Sequence, residues 1–261
     1  MTLPHGLKRR SHQLAKPHEL QQLQEDSAAC NTDFCPRVFR RRFHRCVNHT
    51  FEVKNGILAS ESNCATMNEI DYLVCDRKLT LHRVKAENLM SDAICWSKFV
   101  LRPQIVTISY CELSPEFMAG MASLIEKSTT ELVILNCTGI VGFETLFKAF
   151  PNIEHLKIIG GFEKTWVADI LKHQKCPLKS LELEGDFKDG DKLFTFEDFN
   201  KLVSAQQPRL MMTLRPLDGS ADAIREMLSQ GDCPDLEFDD PEVKSIYVSG
   251  SYGGKNHFLY C

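Results

Sequence analysis

The stretch Leu132-Val133-Ile134-Leu135-Asn136-Cys137 holds an apolar residue, any residue, a second apolar residue, two more residues and then a small or polar one. The same phrase stands on either side of it, as Leu79, Leu81, Val84, then Val106, Ile108, Cys111, and later as Leu156, Ile158, Gly161 and Leu181, Leu183, Asp186. Successive third members lie 27, 26, 24 and 25 residues apart. Looser copies follow at Met212, Leu214, Leu217 and at Leu236, Phe238, Pro241, and an upstream copy at Phe51, Val53, Gly56 extends the pattern over most of the chain. Side chains at i and i+2 share a face of extended backbone, so each phrase predicts a short strand with one buried face.

Helical spacing fills the gaps. Between Pro115 and Lys127, the side chains of Phe117, Met118, Met121, Leu124 and Ile125 fall on one side, with Ser114 placed to cap the helix ahead of Pro115. Stretches 145–150, 166–173, 196–205 and 221–228 repeat the habit, and Thr195 and Ser220 stand at N-cap positions with Glu197 and Asp222 in the first turn. Strand, helix and strand again with neighbours in chain order predict a parallel sheet with helices on its outer side. A doubly wound domain is also written as alternating strands and helices, but its crossovers vary more in length than these steps do. The steps resemble those of leucine-rich repeats, whose period runs from about 20 to about 29 residues. Two copies have Pro103 and Thr129 where that family opens with leucine, and Cys111, Cys137, Gly161 and Asp186 replace its asparagine ladder, so the repeats are degenerate.

Composition sets the background. The chain has 261 residues, 43% of them hydrophobic and 25% charged, enough to bury a sizeable core. Its start lacks a hydrophobic run after the first charges and no stretch is apolar enough to span a bilayer, so a cytoplasmic or nuclear protein with no membrane partner is expected. Eleven scattered cysteines then read as reduced, mostly buried small hydrophobes, and the glycosylation-like triplets at Asn48 and Asn136 as accidental.

Charge divides the chain. Residues 1–50 carry nine Lys and Arg against four acids, a net of +5, which leaves −9 for the remainder. That shift predicts a separate N-terminal module, helical in character, with Leu14, Leu20 and Leu23 on two short helices broken at Pro17. Leu3-Pro4, Leu7, Leu14, the run Ala15-Lys16-Pro17-His18-Glu19-Leu20, Leu23, Ser27 and Cys30 resemble the F-box. The resemblance implies a small module that docks onto the adaptor subunit of a cullin-based ubiquitin ligase, while a C-terminal repeat domain holds a protein substrate. Pro4, Leu7, Leu14, Pro17, Leu20 and Leu23 are the adaptor-binding positions it implies. A helical cap shielding the first repeat is the alternative for the same residues.

The expected architecture is therefore α/β, a leucine-rich-repeat-like solenoid with a parallel sheet and outer helices, preceded by a small helical F-box-like module. Residues 1–47 form that module or cap, 48–245 the repeat array, and 246–261 a C-terminal hairpin or tail whose glycines from Gly250 to Gly254 make the turn. Residues alternating with the buried ones face outward and offer a partner-binding surface: Thr107, Ser109, Val133, Leu135, Lys157, Ile159, Glu182, Glu184, Thr213 and Arg215. Its apolar centre at Val133, Leu135 and Ile159 with a charged rim fits a protein partner, and the acids Glu182 and Glu184 suggest a basic one; a loop or the C-terminal tail covering those residues is the alternative.

Other motifs carry less. Cys30, Cys35, His44, Cys46 and His49 are zinc-capable atoms without a finger's spacing, so no metal site is assigned. Arg37 to Arg45 mixes bases and aromatics, which fits an amphipathic helix with Val38, Phe39 and Phe43 inward or a nuclear localisation patch better than a nucleic-acid site, given the acidity of the array. No catalytic motif and no cofactor fingerprint is present, so an interaction protein is expected, either a ubiquitin-ligase substrate receptor or a repeat scaffold without that role, with an undetected hydrolase third.

Overall fold

The computed structural model describes residues 19, 21–22, 42–54, 57–62, 71–91, 96–188, 194–230, 244–249 and 255–260. Eleven strands form one sheet among them: β1 Arg42–Lys54, β2 Ile57–Ser62, β3 Asp71–His82, β4 Phe99–Leu101, β5 Ile105–Ser109, β6 Glu131–Val141, β7 His155–Phe162, β8 Ser180–Gly185, β9 Met211–Pro216, β10 Lys244–Ser249 and β11 Lys255–Tyr260. The sheet runs β11-β10-β9-β8-β7-β6-β5-β3-β1-β2, with β4 beside the start of β3. From β1 to β10 every neighbour along this path is parallel, and antiparallel hairpins close both edges. Helices α1 Ala86–Leu89, α2 Pro115–Leu124, α3 Phe143–Ala149, α4 Trp166–His173, α5 Phe196–Ser204 and α6 Ala221–Leu228 occupy the connections. From α1 to α5 each packs against the next. The result is α/β with a mostly parallel sheet laid down in chain order.

Register carries two inward rows across eight parallel strands. The first is His49, Leu79, Val106, Leu132, Leu156, Leu181, Met212 and Ile246; the second is Phe51, Leu81, Ile108, Ile134, Ile158, Leu183, Leu214 and Val248. All sixteen are buried, against helix side chains such as Phe117, Leu146, Trp166 and Phe199. Each buried aliphatic or aromatic side chain contributes about 1.5–3 kcal/mol. No single unit could cover its own row, which is why the rows must stack.

Four local expectations change. Phe51 pairs with Leu81 and His49 with Leu79, so the first unit begins two residues before the Phe51, Val53, Gly56 copy. A slip of two preserves which side chains face inward, so hydrophobic pattern cannot distinguish the two registers. Residues 42–45 are strand, not helix: Phe43 stacks on Tyr72 at 5.2 Å, a cross-strand contact that periodicity cannot foresee. Helix α2 stops at Leu124 because Ile125 turns extended to bridge Leu101, with Glu126 N donating to Leu101 O at 2.8 Å. Ser114 and Thr195 do cap their helices, accepting from Phe117 N at 3.2 Å and Asp198 N at 3.1 Å, but Ser220 does not. Its hydroxyl donates instead to Asp218 Oδ1 at 2.6 Å.

The hairpin expected from Ile246 to Tyr260 is present, and its first strand joins the array beside β9. The copy at Leu236, Phe238, Pro241 lies outside the described residues. Among the described residues no helix is long and apolar enough to cross a membrane.

Candidate interaction face

One face of the sheet is buried under helices, and the candidate interaction face is the other. Two outward rows alternate with the buried ones. One reads Thr50, Thr80, Thr107, Val133, Lys157, Glu182, Thr213, Tyr247 and the other Glu52, His82, Ser109, Leu135, Ile159, Glu184, Arg215. All ten outward positions expected to bind a partner therefore fall on one continuous surface. Val133, Leu135 and Ile159 are half-buried and adjacent on β6 and β7.

Four of the charged members are paired with one another. Lys157 Nζ lies 2.8 Å from Glu182 Oε2, and Arg215 Nη1 lies 3.0 Å from Glu182 Oε1 and 3.3 Å from Glu184 Oε2. Two cations and two carboxylates thus compensate across β7, β8 and β9. Nearer the strand starts, Glu131, His155, Lys157, Ser180, Glu182 and Met211 border a shallow hollow of about 320 Å³. His155 Nδ1 and Ser180 Oγ are hydrogen-bonded there at 2.9 Å.

At the opposite end of the strands the backbone turns through left-handed conformations at equivalent places: φ is 56° at Arg83, 53° at Tyr110 and 51° at Asn136, and 141° at Gly160. Non-glycine residues adopt that region at a cost of about 1–2 kcal/mol each, so three in a row are held by their surroundings. Arg83 N donates to Ser109 O at 3.0 Å and Tyr110 N to Leu135 O at 3.1 Å, continuing the ladder through the turn. After the turn Val84 and Cys111 point back inward and are buried, Cys137 is half-buried, and Gly161 stays exposed. Cys111 Sγ approaches Leu81 O at 3.7 Å and Cys137 Sγ approaches Ile108 O at 3.7 Å, so each thiol reaches a carbonyl of the preceding strand. The neighbouring Cys137 thiol, together with burial, raises the Cys111 pKa.

One consequence was not legible by alternation. Tyr110 follows the outward Ser109 and would point inward on a regular strand, yet the left-handed turn leaves it 56% exposed. Its ring meets His82 edge-on at 5.3 Å, and Asn136 Nδ2 donates to its hydroxyl at 3.4 Å. His82 is itself hydrogen-bonded through Nδ1 to Ser109 Oγ at 2.9 Å. Tyr110 and Asn136 thus extend the face beyond the residues that alternation picks out, next to the outward His82. The one signal available was the fixed offset of Tyr110 and Asn136 just ahead of a ladder cysteine.

The adaptor positions Pro4, Leu7, Leu14, Pro17, Leu20 and Leu23 lie outside the described residues, as do Cys30 and Cys35. Cys46 is buried and its thiol donates to Asn48 O at 2.7 Å. His49 Nε2 is hydrogen-bonded to Ser60 Oγ at 2.9 Å, and burial lowers the imidazole pKa to about 4. His44 is exposed on the same strand. Among the described residues no group of three or more His, Cys, Asp or Glu is arranged to hold a metal ion. Compared with protein-family models, curated proteins and solved structures, the chain matches none.

Proposed function

We propose that this chain is a protein-interaction module: a divergent leucine-rich-repeat-like solenoid whose outward sheet face binds a polypeptide, preceded by an F-box-like segment that docks the adaptor of a cullin-based ubiquitin ligase. In that reading it is a substrate receptor, not an enzyme, and works in the cytoplasm or nucleus. The observation that carries the binding half is the outward face itself, where Tyr110 is exposed and Val133, Leu135 and Ile159 are half-buried on a sheet whose two inward rows are buried. Exposed aromatic and aliphatic side chains rimmed by polar ones are characteristic of protein partner sites. The adaptor half rests on the Leu3-Pro4 to Cys30 resemblance alone.

The two halves are tested separately on the full chain. Leu20→Asp combined with Leu23→Asp abolishes pull-down of purified adaptor while the array keeps its melting temperature. Adaptor binding that survives the pair, or is absent from wild type, removes the ligase role and leaves a repeat scaffold. Any truncation used for this purpose has to stop short of Arg42, where β1 begins.

A further inference from the structure

The partner's chemistry follows from how the face handles its own charge, and we propose that it is an uncharged, apolar stretch of extended polypeptide seated across β5, β6 and β7. The proposal rests on the binding-face reading above and adds what that face selects. Across those three strands the two outward rows comprise Thr107, Ser109, Val133, Leu135, Lys157 and Ile159. Lys157 is the one charged member, and it is paired with Glu182 at 2.8 Å. A basic partner approaching Glu182 and Glu184 must displace Lys157 or Arg215, and an acidic partner must displace a carboxylate. Either exchange breaks one ion pair to make another, with little net gain at half-exposed positions. Nucleic acid or an anionic lipid surface needs uncompensated cations, which these rows do not present.

What remains favourable is burial. Val133, Leu135 and Ile159 offer half-covered aliphatic surface that a partner's apolar side chain would take out of water. Tyr110 stands beside them with its oxygen accepting from Asn136 and its own O–H directed to no partner among the described residues, a donor suited to a peptide carbonyl. The phenol is already braced by His82, so binding need not order it. The face therefore selects for shape and apolarity over charge, the reverse of the basic partner that Glu182 and Glu184 suggest when read without their pairing.

The test is a random-peptide display selection on the immobilised full chain, followed by fluorescence-anisotropy titration of an enriched synthetic peptide. Enriched sequences are expected to share an uncharged centre with a branched aliphatic or aromatic residue. Affinity should change by less than about threefold between about 50 and about 500 mM NaCl, because no unscreened charge pair is formed. Ile159→Lys, at a half-exposed position and checked for an unchanged melting curve, should weaken binding by about tenfold or more. Peptides enriched for Lys and Arg or for Asp and Glu, with a steep salt dependence and sensitivity to Ile159→Lys, overturn the proposed chemistry while the binding face stands. Peptides indifferent to Ile159→Lys, or no enrichment at all, overturn the face as well.

Discussion

Gly185→Ala should destabilise the protein by about 2–4 kcal/mol, an outcome that depends directly on consecutive units stacking backbone to backbone. Gly185 closes β8, pairs with Pro216 of β9, and accepts from Leu217 N at 2.8 Å. A Cβ at this position would lie 2.3 Å from Gly160 O on β7 and 2.9 Å from the ring of Phe162. Ordinary contact begins at 3.4 Å, so the carbonyl is more than an ångström too close, and it is backbone that cannot rotate away. Relief requires β7 and β8 to part at their ends, at an overpacking cost of about 1–3 kcal/mol, plus about 1 kcal/mol for a ladder hydrogen bond lost or stretched. At roughly 2–4 °C per kcal/mol for a chain of this size, the melting temperature should fall by about 5–15 °C.

Two further glycines calibrate the result. Gly219→Ala meets nothing within 4 Å but sits at φ +75°, so it costs only the left-handed strain, about 1 kcal/mol. Gly120→Ala, inside α2, touches the flexible Leu89 side chain at 3.3 Å and gains helix propensity, so it should be neutral or stabilising. Urea midpoints and calorimetric melting of the three variants give the ranking. If Gly185→Ala unfolds at or above the midpoint of Gly219→Ala, β7 and β8 do not approach as described and the stacked array is wrong at its centre.

Asp218 accepts from Phe187 N and Lys188 N, both at 2.7 Å, and from Ser220 N and Oγ, tying the loop after β8 to the one after β9. Burial opposes its charge, but these bonds outweigh it and bring the carboxyl down to about 2 from 3.8. A depressed carboxylate stabilises the fold above its unfolded pKa, and that contribution is lost as pH falls through the folded value. The gap in urea midpoint between wild type and Asp218→Asn should therefore be full at pH 5 and close as pH is lowered from about 4 to about 2; a gap constant with pH would contradict the assignment. His49 occupies an inward ladder position with a pKa lowered by burial to about 4 from 6.5, and its Nδ1 is buried with no hydrogen-bond partner. Its unfolded form takes the proton first, so the fold loses on the order of 3 kcal/mol as pH falls from above 6.5 to below 4. His49→Leu should remove that part of the acid sensitivity, measured as melting temperature against pH, and an unchanged slope would show that His49 is not buried as described.

Which side chains face inward and which connections are helical can be read from residue spacing. Val106, Leu132, Leu156 and Leu181 align in one buried row, and α4 and α6 span 166–173 and 221–228 as their spacing predicts, because both periods are local properties of a chain of fixed geometry. Outward positions such as Val133, Ile159 and Arg215 were legible for the same reason. Register, pairing and turn geometry come from contacts between distant strands. The two-residue slip at Phe51 leaves the hydrophobic pattern unchanged, and β1 is strand from Arg42 because β3 supplies its ladder. Tyr110 is exposed because its backbone turns left-handed between two strands that fix it, and Glu182 and Glu184 are compensated because β7 and β9 bring Lys157 and Arg215 alongside. Those outcomes depend on contacts between residues 24 or more positions apart, about which the local sequence carries no period to read.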